Sequence, residues 1–240
     1  MAWRKTFQLA RREKFRHRSE EILRIEALSD AVFAFSVSLL VASLEVPQTF
    51  EELKKILFGA IPFFTTVGVI FLLWYRQYIF FRHYALNDLP TILLNLIYLA
   101  VILFYVYPLK FLFSLLIASW TGIDLFPEAS AKGSLVLLPD DFPSLVIIFS
   151  TGYFLVWLLL YFMHRRALHL AGELELNKYE VEYTHKEIRG ALWNCLIGAA
   201  SIIFAALGFA LLSGITYLLI PLLLVINERL FTNAIARRKR

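Results

Sequence analysis

The chain has 240 residues, of which 59% are hydrophobic, 16% aromatic and only 18% charged, and its mean hydropathy is +0.66. That balance is too apolar for a soluble domain of this length and leaves a membrane protein. The single cysteine, Cys195, excludes an intrachain disulfide and a cysteine-ligated zinc cluster.

The N-terminal stretch through Arg24 is basic but mixes in Glu13, Glu20 and Glu21 and leads to no small-residue cleavage site, so residues 1–21 read as a retained, basic cytosolic segment. Six apolar stretches follow: Ile22 to Val46, Ile56 to Phe81, Leu89 to Ile117, Phe142 to Met163, Ile188 to Leu212 and Ile215 to Phe231. A membrane helix needs about 20 mostly apolar residues, and a helix satisfies every backbone hydrogen bond within one segment. The predicted fold class is therefore all-α, a polytopic membrane protein with a six-helix transmembrane domain over residues 22–232 and a basic cytosolic tail over 233–240. Ser213 and Gly214 alone separate the last two stretches and predict a tight hairpin. The connection from Ala118 to Asp141, with Pro127, Gly133 and Pro139, reads as a non-cytosolic surface loop. The polar connection from His164 to Lys186 reads as partly a helix extension.

Positive charge is asymmetric. Twenty of the 24 lysines and arginines fall at the two termini, at the end of the second span and between the fourth and fifth spans, while Lys54, Lys55, Lys110 and Lys132 fall in the opposite loops. The positive-inside rule then places both termini in the cytosol of a multi-pass protein of the plasma or cell inner membrane. Basic ends facing anionic lipid headgroups account for the net charge of +5 without a nucleic-acid partner.

The string Thr65, Thr66, Val67, Gly68, Val69 invites comparison with the carbonyl filter of ordinary potassium channels. It sits in a continuous apolar stretch with no pore helix before it, so the match is rejected and Gly68 is read as a helix-packing residue. There is no Walker loop, HExxH or GxSxG motif, and His164 and His169 are five apart, off a common helical face for metal binding. No cofactor, metal or enzymatic activity is implied.

The first span carries the information. At about 100° per residue, Ala31, Phe35, Ser38, Leu39 and Ala42 share one face, and Ser29, Val32, Ser36, Leu40 and Ser43 share its neighbour. One face suits a narrow path of alternating apolar and hydroxyl groups. Hydroxyls that bond a carbonyl one turn back also allow close helix packing, the preferred reading for Ser36 and Ser43. A carboxylate just inside a bilayer needs a partner, so Asp30 is expected to bond Arg24 of its own or a neighbouring chain, with Ser29 and Trp74 as further candidates. A structural role for Arg24 and Asp30 is preferred over ion binding.

Arg24, Leu28, Ser29 and Asp30 resemble the first-helix signature of the lysosomal potassium channel transmembrane protein 175 family and its bacterial homologues. The spacing from Asp30 to Val46 and Pro47 is similar to that helix, as are Trp74 late in the second span, Asn95 to Tyr98 in the third, and Pro108 closing the third. The resemblance implies a homotetramer in which the first helix of each subunit lines a central pore without a carbonyl filter. It places the constriction on Phe35, the hydroxyl layer on Ser38 and a second apolar ring on Ala42. Leu28 replaces the signature phenylalanine, and Gln77 stands where the family usually has histidine. The reading is a channel permeable to potassium and possibly other monovalent cations, in contact with membrane lipids. The competing class, a proton-coupled or cation secondary transporter, would call for an internal repeat or an unpaired midplane charge, and neither is evident.

Overall fold

The computed structural model describes residues 15–18, 21–42, 46–122, 125–126 and 136–238. These contain helices α1 (Arg24–Ala42), α2 (Phe50–Tyr84), α3 (Leu89–Thr121), α4 (Phe142–His169), α5 (Lys178–Ala206), α6 (Ala210–Ile215) and α7 (Leu219–Arg238). Six helical segments are long and apolar enough to cross a membrane; α6, a 3-10 turn at Thr216–Leu218 and α7 together supply the sixth. An even number of spans puts the two ends of the bundle on the same side.

The helices outrun the apolar stretches where local chemistry extends them. Thr49 and Glu52 form a capping box, each side chain accepting from the other's backbone N–H at 3.2 Å, and start α2 six residues before Ile56. Its 35 residues are about 52 Å long at 1.5 Å per residue, well beyond a hydrocarbon core of about 30 Å. Asn177 and Glu180 form a second capping box and start α5 ten residues before Ile188. Most of the polar connection between the fourth and fifth spans is consequently helix.

Three sequence expectations are corrected. Pro108 does not close the third span: α3 continues to Thr121, because the loss of one backbone donor is tolerated inside a bundle, and ends where Gly122 takes φ +69°. The turn between the last two spans is not at Ser213 and Gly214, which lie inside α6, but at Leu207 to Phe209. There Gly208 takes φ +83°, Phe209 N–H bonds Phe204 O at 2.8 Å and Gly208 N–H bonds Ala205 O at 3.0 Å, a Schellman end that only a residue without Cβ adopts without strain. Gly68 is exposed, and a Cβ there would meet nothing within 4 Å, so it does not serve packing within this chain. The string around it is helical, as the rejection of a filter requires.

The core lies where α1, α2, α3 and α4 converge, around Phe33, Leu40, Ile70, Phe80, Tyr98, Ile102, Val156, Leu160 and Met163. The most extensive pairing is between α4 and α5. Helix α3 packs on α4 so closely at Gly152 that any Cβ would collide with the Tyr105 ring, whose hydroxyl donates to Phe149 O at 3.0 Å. At the start of α3, Asp88 accepts from Thr91 at 2.6 Å and from Arg166 of α4 at 3.0 Å. Partial burial pushes its carboxyl up, but these bonds hold it below the usual carboxylate value.

Candidate pore helix and the network that holds it

Helix α1 has two chemically similar faces with opposite fates. Ile25, Ser29, Phe33, Ser36 and Leu40 are buried against α2 and α3. Ala31, Ala34, Phe35, Ser38, Val41 and Ala42 are exposed, Phe35 at 56%, and Leu39 is half-buried. The face singled out from helical spacing is thus the face this chain leaves uncovered. Ser43 lies outside the described residues.

The hydroxyls are bonded locally. Ser36 donates to Val32 O at 2.8 Å and Ser38 donates to Ala34 O at 3.0 Å. Ser36 is sealed among its neighbours, which bears out its packing reading. Ser38 spends its hydrogen on the backbone and turns an oxygen with free lone pairs to the open side.

The N-terminal third of the buried face is pinned by three polar side chains. Gln77 Nε2 donates to Ser29 Oγ at 2.6 Å and to Asn95 Oδ1 at 2.5 Å, and Asn95 Nδ2 donates to Ser29 Oγ at 3.0 Å. Ser29 itself donates to Ile25 O at 2.7 Å. The Ser29 oxygen therefore gives one hydrogen and accepts two, which fills its capacity. All three residues are at most 2% exposed, so loss of one member strands the others away from water. Above this point Phe33 packs 6.4 Å from the Tyr98 ring, and Tyr98 donates to Leu73 O at 3.0 Å.

Asp30 Oδ1 accepts from Trp74 Nε1 at 2.7 Å. Arg24 is exposed and pairs with no carboxylate among the described residues. Six residues apart, Arg24 and Asp30 stand about 120° from each other around the helix, so they do not meet within one chain. Of the four expected network residues, the structure brings Ser29, Asp30 and Trp74 to the α1–α2 contact. Gln77 and Asn95 complete the buried triad. The sequence signal for them was present: Trp74 and Gln77 are three apart on one helical face, and both amides sit in otherwise apolar stretches.

A cavity of about 720 Å³ lies between α2, α3, α4 and the sixth span. No residue of α1 lines it, and its walls are mostly apolar, with Val69, Leu72, Leu109, Phe113, Val146 and Phe149 among them. No group of three or more His, Cys, Asp or Glu among the described residues could hold a metal ion.

Residues 24–105 match the family described as the endosomal/lysosomal potassium channel TMEM175. A potassium channel of Marivirga tractuosa is 36% identical over 221 residues, spanning 89% of this chain and 90% of that protein. The crystal structure of a variant of the potassium channel MtTMEM175, bound to a Nanobody-MBP fusion protein, superposes with a TM-score of 0.80 at 35% identity, over 92% of this chain and 98% of that one. A lysosomal potassium-selective channel TMEM175 homologue from Chamaesiphon minutus shares the fold, with a TM-score of 0.53 at 18% identity, over 85% of this chain and 96% of that one. The family and the relatives matched over most of their length are potassium channels of the membrane, not enzymes. The chain belongs to the TMEM175 potassium channel family.

Proposed function

We propose that this chain is a potassium-permeable channel subunit that works as a homotetramer, with four copies of α1 around a central path. The observation that carries the reading is the bare face of α1. One helix cannot enclose a path, whereas closed rotational symmetry would cover the same face four times over. Phe35 is the bulkiest residue on that face and would form an apolar collar. Ser38, one turn further, would offer a ring of oxygens to a partly dehydrated cation, with Leu39 beside it and Ala42 a turn beyond. Arg24, which pairs with no carboxylate among the described residues, would then meet the Asp30 of a neighbouring subunit.

Purified protein in planar bilayers under a potassium gradient is expected to give unitary current steps. Saturable flux at carrier-like turnover would instead identify a secondary transporter. Native mass spectrometry is expected to show four copies, and a monomer carrying full flux would overturn the shared pore. The proposed orientation, with both termini cytosolic and the surrounding lipid that of the plasma or cell inner membrane, has its own test. With Cys195 replaced, a cysteine at Asn177 is expected to resist an impermeant thiol reagent applied outside intact cells. A cysteine near Ser130, which lies outside the described residues, is expected to react.

A further inference from the structure

The stretch just before α1 is bound into the protein more firmly than its basic, tail-like sequence implies. Residues 15–18 run between the C-terminal end of α2 and the N-terminal end of α5. Phe15 is 7% exposed; it stacks on His83 at 4.0 Å between centroids and meets Tyr84 and Tyr183 edge-on at 5.3 Å.

Arg18 makes the central contact. Its backbone N–H donates to Arg82 O at 3.0 Å and its Nη1 to His83 O at 3.1 Å, filling carbonyls that the last turn of α2 leaves without helical partners. Nε donates to Leu174 O at 3.1 Å, and the guanidinium grips the Glu180 carboxylate at 2.7 and 3.3 Å. Glu180 is fully buried in the first turn of α5, where it also accepts from Asn177 N–H at 3.0 Å and from Arg16 N–H at 2.9 Å. The cation thus lies at the negative end of one helix and its carboxylate partner at the positive end of another, the favourable sign at both.

Six residues separate Arg18 from Arg24, where α1 begins, so the docked strap keeps that end within about 20 Å of the α2–α5 junction. The contacts of α1 itself are to α2 and α3. The strap, six positions before α1, is anchored to α5 at Glu180.

We propose that Arg18 is a positioning residue for the pore helix: its contact with Glu180 holds the cytosolic end of α1 against the bundle, and releasing it alters opening of the pore. This rests on the reading of α1 as pore-lining.

Two variants and two readouts test it. Glu180→Gln keeps an N3 residue able to serve the capping box while removing the charge that Arg18 grips. Arg18→Ala removes the other half. Each is expected to change open probability about fivefold or more in the same direction, the low end of energetic coupling between distant sites, with unitary conductance and reversal potential unchanged. The double variant is expected to do no more than either single one. Hydrogen exchange of the tetramer, which needs no current, is expected to quicken at the α1 amides 24–30 and stay unchanged in α3 and α4.

Unchanged exchange in α1, or quickening throughout the chain, overturns the positioning role. Loosened α1 with unaltered open probability overturns its link to opening. If the wild-type protein passes no current, the channel reading fails while exchange still decides whether the strap holds α1.

Discussion

Phe33 and Ser36 lie on one side of α1 and Phe35 and Ser38 on the other, the same two residue types repeated with an offset of two positions. The first pair is at most 3% exposed, while Phe35 is 56% exposed and Ser38 open. Both serines donate to the carbonyl four residues back, so local bonding does not distinguish them. What separates the faces is what α2 and α3 present to them: Tyr98 behind Phe33, Gln77 and Asn95 beneath. Within a membrane helix, residue type says little about role until the neighbouring helices are known.

The sharpest way to break this contrast is to truncate the two phenylalanines separately. Phe33→Ala empties a packed site and is expected to cost about 3–5 kcal/mol, read as a lower unfolding temperature in detergent, with permeation little changed. Phe35→Ala is expected to leave unfolding nearly unaltered but raise basal cation current and weaken discrimination. The opposite pattern means that the faces have been exchanged. Next in size is the buried triad. Gln77→Leu or Asn95→Leu strands polar partners and is expected to cost about 1–3 kcal/mol. The double variant should cost less than the sum, since each single loss already breaks the shared contact at Ser29; strict additivity would show that the triad does not act as a unit. The smallest effects belong to the serines. Ser36→Ala is expected to cost about 0.5–1.5 kcal/mol without moving the reversal potential. Ser38→Val is expected to leave assembly intact and reduce the preference for potassium over sodium, and an unaltered preference would remove Ser38 from the path.

Much of this organisation is legible in the sequence because lipid imposes it. Length and hydropathy give six spans, and helical spacing alone groups Ala31, Phe35, Ser38 and Ala42. Chain punctuation was read less well. Ser213 and Gly214 look like a turn, yet both fit a helix, and the reversal belongs to Gly208, whose sequence neighbours are apolar. Pro108 looks like a stop, yet bundle contacts carry α3 past it. Hydropathy begins at Ile188, whereas α5 begins after the Asn177 cap, which fits the reading of the polar connection as partly a helix extension but lies beyond what hydropathy alone can place. Gln77 departs from the family pattern in sequence, and only the structure shows its two donors closing on Ser29 and Asn95.

That side chain has a consequence for acid. The Gln77 carboxamide nitrogen supplies two of the three hydrogens shared within the triad and Asn95 the third, and a carboxamide neither gains nor loses a proton at any pH a cell meets. An imidazole in the same place would pass from one ring N–H to two near neutrality and would have to break or remake a contact as it did so. The Ser29–Gln77–Asn95 contact at the base of α1 is therefore silent to titration. Any proton sensitivity of conduction in this protein has to originate elsewhere in the chain.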